Sequence, residues 1–314
     1  VPSAATSPTP DKPTVRLYPF DWLIVGYSFL MLVLIGLLGR PMRMYYDEIA
    51  FYTCMIAVAL LIARYVDEHR NRLSTLIRIT YPILLFTFFY QATGGLMFLV
   101  FGHFYDSQLV SFEKAIFGVN PTLYIDRHLL NIWANEVFSF CYFSYYFWIL
   151  VFLLVLFVKK HYETIKSFLT AACLTFFLSY ILFFLYPIEG PRWHLAGQYV
   201  NQIEGPLFRK MVEVVIDNGA VRGGCMPSSH FGVMLVIMMY CFRQYRKAGW
   251  TLLPLNIGLA IGTVWGRFHY VSDVFVGGIL GLVTTLMVWK YYPRWNRSCI
   301  THLPQRDLEV EHAS

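Results

Sequence analysis

The sequence predicts an all-α protein, a polytopic membrane helix bundle of about eight transmembrane helices. Three observations carry this. Of 314 residues, 57% are hydrophobic and 14% charged, against roughly 45–50% and about 25% in soluble domains; mean hydropathy is +0.51. The apolar residues gather in runs of roughly 18–25, long enough to cross a hydrocarbon core. The runs do not alternate as barrel strands do, which leaves helices to satisfy the backbone in lipid.

The chain opens on VPSAATSPTPDKPT, and this Pro/Ser/Thr-rich composition predicts a disordered tail over 1–19. No basic stretch leads into a short apolar one there, so the first span is expected to direct insertion. Spans are predicted at 20–39 and 48–66, a two-helix N-terminal extension over 20–78. Further spans follow at 79–101, 133–158, 166–186, 229–245, 251–268 and 271–290, then an unstructured tail over 291–314. Two long segments interrupt them. In 102–132, Asn120-Pro121 is a helix-start signal, and the mixed residues after it predict an interfacial amphipathic helix. The other, 187–228, is rich in Gly and Pro and carries Arg192, Arg209, Lys210 and Arg222. Loops on a rigid scaffold are where chemistry is usually placed.

The net charge of +6 implies no nucleic-acid partner, because the basic residues sit in short loops and act as orientation signals. With loops taken alternately, sixteen of the 25 Lys and Arg share one side with both termini and nine fall on the other. The richer side is expected to be cytoplasmic. Six cysteines make no disulfide framework. Cys54, Cys141, Cys173 and Cys241 lie in spans, Cys299 in the tail, and Cys225 alone faces outward; all read as small packing residues. Gly277 and Gly281 in GGILG predict close helix packing. CYFSYYFW (141–148) reads as aromatic helix packing, with a lipid groove as the alternative.

Ionisable groups at membrane depth are costly and mark function by default, which draws attention to GRFHYVSD (266–273). Three clusters share the outer face: GPRW after the fifth span, MPSSH opening the sixth, and GRFHYVSD between the last two. Pro227-Ser228-Ser229 reads as a helix start with a serine N-cap and His230 in the first turn. Free amides at such a terminus favour phosphate. Arg192, Arg267 and Arg222 would add planar, permanently charged donors. His269 and Asp273 are four apart and can meet on one turn. A carboxylate taking the Nδ1 proton leaves Nε2 free to attack, and His230 would protonate a leaving alcohol. The set fits phosphoryl transfer. Two His and one Asp also resemble a metal triad, but arginines would not gather beside a bare cation, so no metal and no cofactor are expected.

At these residues the chain resembles the type 2 phosphatidic acid phosphatase superfamily. Pro227-Ser228-Ser229-His230 matches that family's second motif, and His269, three residues, then Asp273 matches the end of its third. RFHYVSDVFVGG, YPIEGPRW and the NP segment before FCYFSYYF are similar to the branch that holds inositol phosphorylceramide synthases. The resemblance covers about 80–290 and implies a catalytic six-helix membrane domain over 79–290. It departs at two phosphate ligands. Leu185 stands where the first motif has Lys, and Thr263 where the third has Arg; Arg267 and Arg222 are the candidate substitutes. The implied activity is a lipid phosphotransferase or phosphatase working through a phosphohistidine on His269. Asp273 orients it, His230 is the acid, and Arg192, Arg267, Ser228, Ser229 and Arg222 hold phosphate. Its partners would be a membrane lipid and an alcohol or water acceptor. The competing expectation is a non-catalytic lipid-phosphate binding or transport protein, which would have no use for an oriented imidazole.

Overall fold

In the computed structural model, which describes residues 16–300, a helix stands at every predicted span. The first half contains α1 (Pro19–Leu38), α2 (Tyr46–Tyr65), α3 (Arg72–Leu96), α4 (Asp106–Phe117), α5 (Pro121–His128) and α6 (Ile132–Val158). The second contains α7 (Tyr162–Leu185), α8 (Pro191–His194), α9 (Phe208–Gly219), α10 (Ser229–Gln244), α11 (Arg246–Trp265) and α12 (Val271–Ile300). Among the described residues seven helices are long and apolar enough to cross a membrane. The eighth, α10, has only 16 residues, about 24 Å at 1.5 Å per residue. It falls short of a hydrocarbon core of about 30 Å, and its start, Ser228 and Ser229, is buried within the bundle.

Three helices start on asparagine. The side chains of Asn71, Asn120 and Asn131 accept the backbone N–H of Ser74, Leu123 and Ala134 at 2.8, 3.1 and 2.9 Å. Each such cap stabilises its helix by about 1 kcal/mol. The core centres on α7, apolar on every side: Phe168, Leu169, Ala172, Cys173, Phe177 and Phe183 are all buried, as suits a helix surrounded by others. Tyr27 of α1 stacks on Phe177 with centroids 4.4 Å apart, so the N-terminal pair shares that core.

Several boundaries differ from the prediction, each for a physical reason. The helix expected from 79 begins at Arg72, because Asn71 caps it there and Arg78 is buried in an ion pair with Asp21 of α1. The expected edge between extension and catalytic domain therefore falls inside α3. The last helix runs to 300, taking in 291–300 of the expected tail. The rest of that tail, 301–314, and residues 1–15 of the N-terminal one lie outside the described residues. The two interrupting segments hold more helix than expected. The amphipathic helix after Asn120 is present as α5, and α4 and α9 add to it.

Close packing of α12 on α10 positions the site. A Cβ at Gly277 would lie 2.3 Å from the Ser228 carbonyl oxygen, and one at Gly281 2.3 Å from that of Gly232. Only glycine lets the backbones approach this far. The Ser228 N–H then donates to the Asp273 carbonyl at 2.9 Å.

Candidate active site

Carboxylates, two of them buried, fasten the interrupting segments at the loop-rich end of the bundle. Asp106, first residue of α4, accepts the N–H groups of Glu189 and Gly190 at 2.7 and 2.9 Å and the Tyr270 hydroxyl at 3.0 Å. It thus pins the GPRW loop to the segment before α12. Glu113 of α4 accepts the Ser272 N–H and hydroxyl at 2.7 and 2.9 Å. Glu136 of α6 takes three N–H groups at the start of α9, those of Leu207, Phe208 and Arg209. A parallel bridge pairs Ile188 with Gly224, laying the GPRW loop beside the segment that leads into α10.

Within this frame lies a cavity of about 590 Å³. Arg192, Ser229, His230 and His269 line its polar end. The rest is apolar, between Leu84 and Phe88 of α3 and Tyr146 and Leu150 of α6, with Val215 and Ile216 of α9 contributing to the wall. Leu84, Phe88 and Leu150 are also exposed on the outside of the bundle. The gap between α3 and α6 therefore opens sideways at the height of the apolar spans. The 141–148 tyrosines, expected to pack, do so, and they also border the cavity. Tyr142, Tyr145 and Tyr146 line the cavity and surround His230 with ring centroids 5.6, 5.0 and 6.0 Å away.

His230 and His269 are brought together, their rings 6.3 Å apart. The orientation of His269 differs from expectation. Its Nδ1 donates to the backbone carbonyl of Cys225 at 2.8 Å, whereas Asp273 Oδ2 is 3.6 Å away. The reason is local: His269 precedes α12, and Asp273 Oδ2 turns back to take the Tyr270 N–H at 2.8 Å and the Cys225 thiol at 2.8 Å. Nε2 of His269 is still the nitrogen left over, since the other is committed. Burial first, and the neighbouring Asp273 charge second, push the Cys225 thiol well above its ordinary value, which favours the protonated form over the reactive thiolate.

The expected phosphate ligands separate into two groups. Arg192 and Ser229 line the cavity. Arg192 is held there by Glu213 and Asp217 of α9, at 2.7 and 2.8 Å. Ser228 stands at the N-cap position, but its hydroxyl makes no capping bond and is buried without a partner. Ser228, Arg267 and Arg222 are absent from the cavity wall. Arg267 donates to Asp126 Oδ1 and the Asn201 carbonyl, both at 2.6 Å, and stacks 3.8 Å over the Tyr199 ring. These ties hold its backbone in the left-handed region at φ 66°. Arg222 pairs with Glu189, its side chain 63% exposed. Neither fills the gap left at Leu185, which is half exposed on the outside of α7, or at Thr263, whose carbonyl takes the Phe268 and His269 N–H groups.

Sequence reasoning missed Arg209. It is buried, pairs with Glu213 beside Arg192, and sits 5.5 Å over the Phe268 ring. Its Nε and Nη1 have no partner. It missed the Cys225 carbonyl too, because a backbone acceptor leaves no trace in residue identity. For Arg209, its place among Phe208, Val212, Val215 and Ile216 is the one signal the sequence holds.

Parts of this sequence are similar to known proteins. A bacitracin transport permease protein, BcrC, of Bacillus licheniformis is 32% identical over 89 residues, 28% of this chain and 41% of that protein. A PA-phosphatase related-family protein of Dictyostelium discoideum is 23% identical over 201 residues, 57% of this chain and 36% of that protein. The chain thus spans less than half the length of these relatives. No solved structure gives a significant match. Residues 107–287 match the PAP2 superfamily, a stretch that covers more than half of the chain and holds both histidines and every cluster described above, and the chain is a multi-pass membrane protein that belongs to that superfamily.

Proposed function

We propose that this protein is a membrane enzyme that cleaves a lipid phosphoester through a phosphohistidine on His269. The observation that carries the proposal is His269 itself. Its Nδ1 is committed to the Cys225 carbonyl while the ring faces a cavity shared with His230 and Arg192. Nε2 attacks phosphorus and the bond to the leaving oxygen breaks. His230 gives that oxygen its proton, then takes one from the incoming acceptor as the phosphohistidine is resolved. Arg192 exchanges Glu213 and Asp217 for the phosphoryl oxygens. The free amides at the start of α10 add partial positive charge. The sideways gap between α3 and α6 suits a lipid whose apolar chain stays in the membrane. Asp273 acts through Cys225 and the Tyr270 N–H and is a positioning residue.

Both termini are proposed to be cytoplasmic and the site extracytoplasmic, on the distribution of basic residues. Transfer to an alcohol of the inositol type, as in the branch that RFHYVSD resembles, is supported by the missing Lys and Arg at Leu185 and Thr263. Hydrolysis is the alternative fate of the same intermediate. The test is a panel of labelled lipid phosphates and phosphodiesters, with and without inositol, following released phosphate and new lipid together. Rapid quenching should trap an acid-labile label in the wild type and none in His269→Ala. His230→Ala should fail on alkyl phosphates yet work on a nitrophenyl ester, whose leaving group needs no proton. Full turnover in His269→Ala would overturn the mechanism.

A further inference from the structure

Behind the cavity wall, Cys225, His269 and Asp273 form a compact triangle. Sγ of Cys225 lies 2.8 Å from Asp273 Oδ2 and 3.5 Å from His269 Nδ1, and Nδ1 lies 3.6 Å from Oδ2. All three residues are buried. The second oxygen of Asp273, Oδ1, has no partner although the side chain is fully enclosed.

These edges can be compared with what a metal requires. A tetrahedral zinc ion, with bonds of about 2.3 Å to sulfur, 2.05 Å to nitrogen and 2.0 Å to oxygen, sets S···N, N···O and S···O separations near 3.6, 3.3 and 3.5 Å. Two edges are already within about 0.3 Å of those values. The third, between sulfur and carboxylate, is closed by the thiol proton and would have to open by about 0.7 Å. That proton is lost when a cation binds, since a coordinating thiol is deprotonated. Thiolate with imidazole is a soft donor pair, which selects zinc-like ions over magnesium. Cys225 and His269 both line the cavity, so the ion has a way in.

We propose that this triangle is an inhibitory site for a soft divalent cation, bound across Cys225 Sγ, His269 Nδ1 and Asp273 Oδ2. The inhibitory part rests on the reading of His269 as nucleophile. The proton balance explains how it acts. Without the ion, Nδ1 keeps the ring proton and donates a hydrogen bond through it to the Cys225 carbonyl, which the ion must displace, and Nε2 holds a lone pair. Coordination takes the Nδ1 lone pair, so the proton of the neutral ring moves to Nε2. The atom that should attack phosphorus then has no lone pair to offer. The thiol proton leaves to solvent, one per ion bound. The ion is no cofactor: it holds the histidine in the wrong tautomer.

Cobalt(II) serves as the probe, because a cobalt–thiolate bond has its own charge-transfer absorption. Titration of the purified full chain should give that absorption at one cobalt per chain, and zinc should displace it. It should persist in His230→Ala and vanish in both Cys225→Ala and Cys225→Ser, with size exclusion and thermal unfolding showing that each variant is folded. Zinc should inhibit the wild type, and turnover remaining in the Cys225 variants should need at least tenfold more zinc for the same inhibition. Absence of the absorption in the wild type, or its survival in the Cys225 variants, overturns the site. Lipid turnover without cobalt absorption strikes the site alone. Cobalt absorption that depends on Cys225, in a protein that turns over no lipid, strikes the phosphoryl-transfer reading and the inhibition that rests on it, and leaves the metal site supported.

Discussion

Two fully enclosed aspartates sit at opposite ends of this bundle, and they are used differently. Asp21, where α1 meets α3, spends both oxygens. Oδ1 accepts from Arg78 Nη1 at 3.1 Å and from the Tyr81 hydroxyl, and Oδ2 from Arg78 Nη2 and the Tyr18 N–H. Asp273, behind the cavity, spends one: Oδ2 takes the Cys225 thiol and the Tyr270 N–H, while Oδ1 has no partner. Nearby, the Ser228 hydroxyl and His230 Nδ1 are likewise buried and unpartnered. Leaving such a group unmet costs about 1–3 kcal/mol, and native proteins keep few of them. The contrast between the two aspartates is thus one of completeness: every oxygen of Asp21 is met, whereas Asp273, beside the cavity-lining His269, keeps one oxygen unmet.

That contrast gives the largest expected difference. Removing one partner of a buried ion pair costs roughly 3–5 kcal/mol, so Arg78→Ala, which leaves the Asp21 charge uncompensated, should lower the thermal unfolding temperature in detergent sharply. Asp21→Asn should move it the same way. Asp273→Asn, by contrast, should leave unfolding close to the wild type. Its effect should fall on turnover, by about 10²–10⁴ by analogy with the carboxylate of a catalytic triad. Equal destabilisation by the two Asn variants would erase the distinction.

The arginines extend the comparison with a smaller effect. Arg192 lines the cavity and Arg267 does not, although the sequence places both beside the motifs. Arg192→Ala should lose about 10²–10³ in turnover, the usual loss when one donor to a transition-state oxyanion is removed. Arg192→Lys should restore part, lacking the planar fork. Arg267→Ala should instead destabilise by roughly 1–3 kcal/mol, since Asp126 loses its guanidinium, with turnover per folded molecule nearly kept. A rate loss in Arg267→Ala without loss of stability would return that residue to the site.

What the sequence made legible follows the same division. Long apolar runs announce helices wherever they fall, because lipid leaves the backbone no other solution. His230, His269 and Asp273 were legible because each is close in sequence to a helix start. The fate of an arginine was not, since it depends on a carboxylate far along the chain. Asp126 holds Arg267 across 141 residues, and Asp106 reaches the Tyr270 hydroxyl across 164. The helix α9 escaped notice because Arg209, Lys210, Glu213 and Asp217 dilute its apolar face. That face, Val212, Val215 and Ile216, became meaningful only once Val215 and Ile216 were seen along the cavity.

The smallest expected effect concerns the sideways opening, which distinguishes lipid entry from entry at the loop-rich end. Leu150 of α6 lines the cavity yet is 54% exposed on the outer surface, across the gap from Leu84 and Phe88 of α3. A Leu150→Trp side chain adds an indole where an apolar lipid chain would pass, one helical turn beyond Tyr146, the last of the α6 rings beside His230. The reacting end of the site is therefore untouched, and kcat should be nearly unchanged. A misfit of about one or two methylenes in an apolar channel is worth roughly 1–3 kcal/mol, so KM for a long-chain lipid phosphate should rise about tenfold. A short-chain, water-soluble phosphate ester needs no membrane passage, and its KM should stay within about twofold. If Leu150→Trp raises both KM values equally, the tryptophan is obstructing the polar end, and substrates arrive past α9 instead of between α3 and α6.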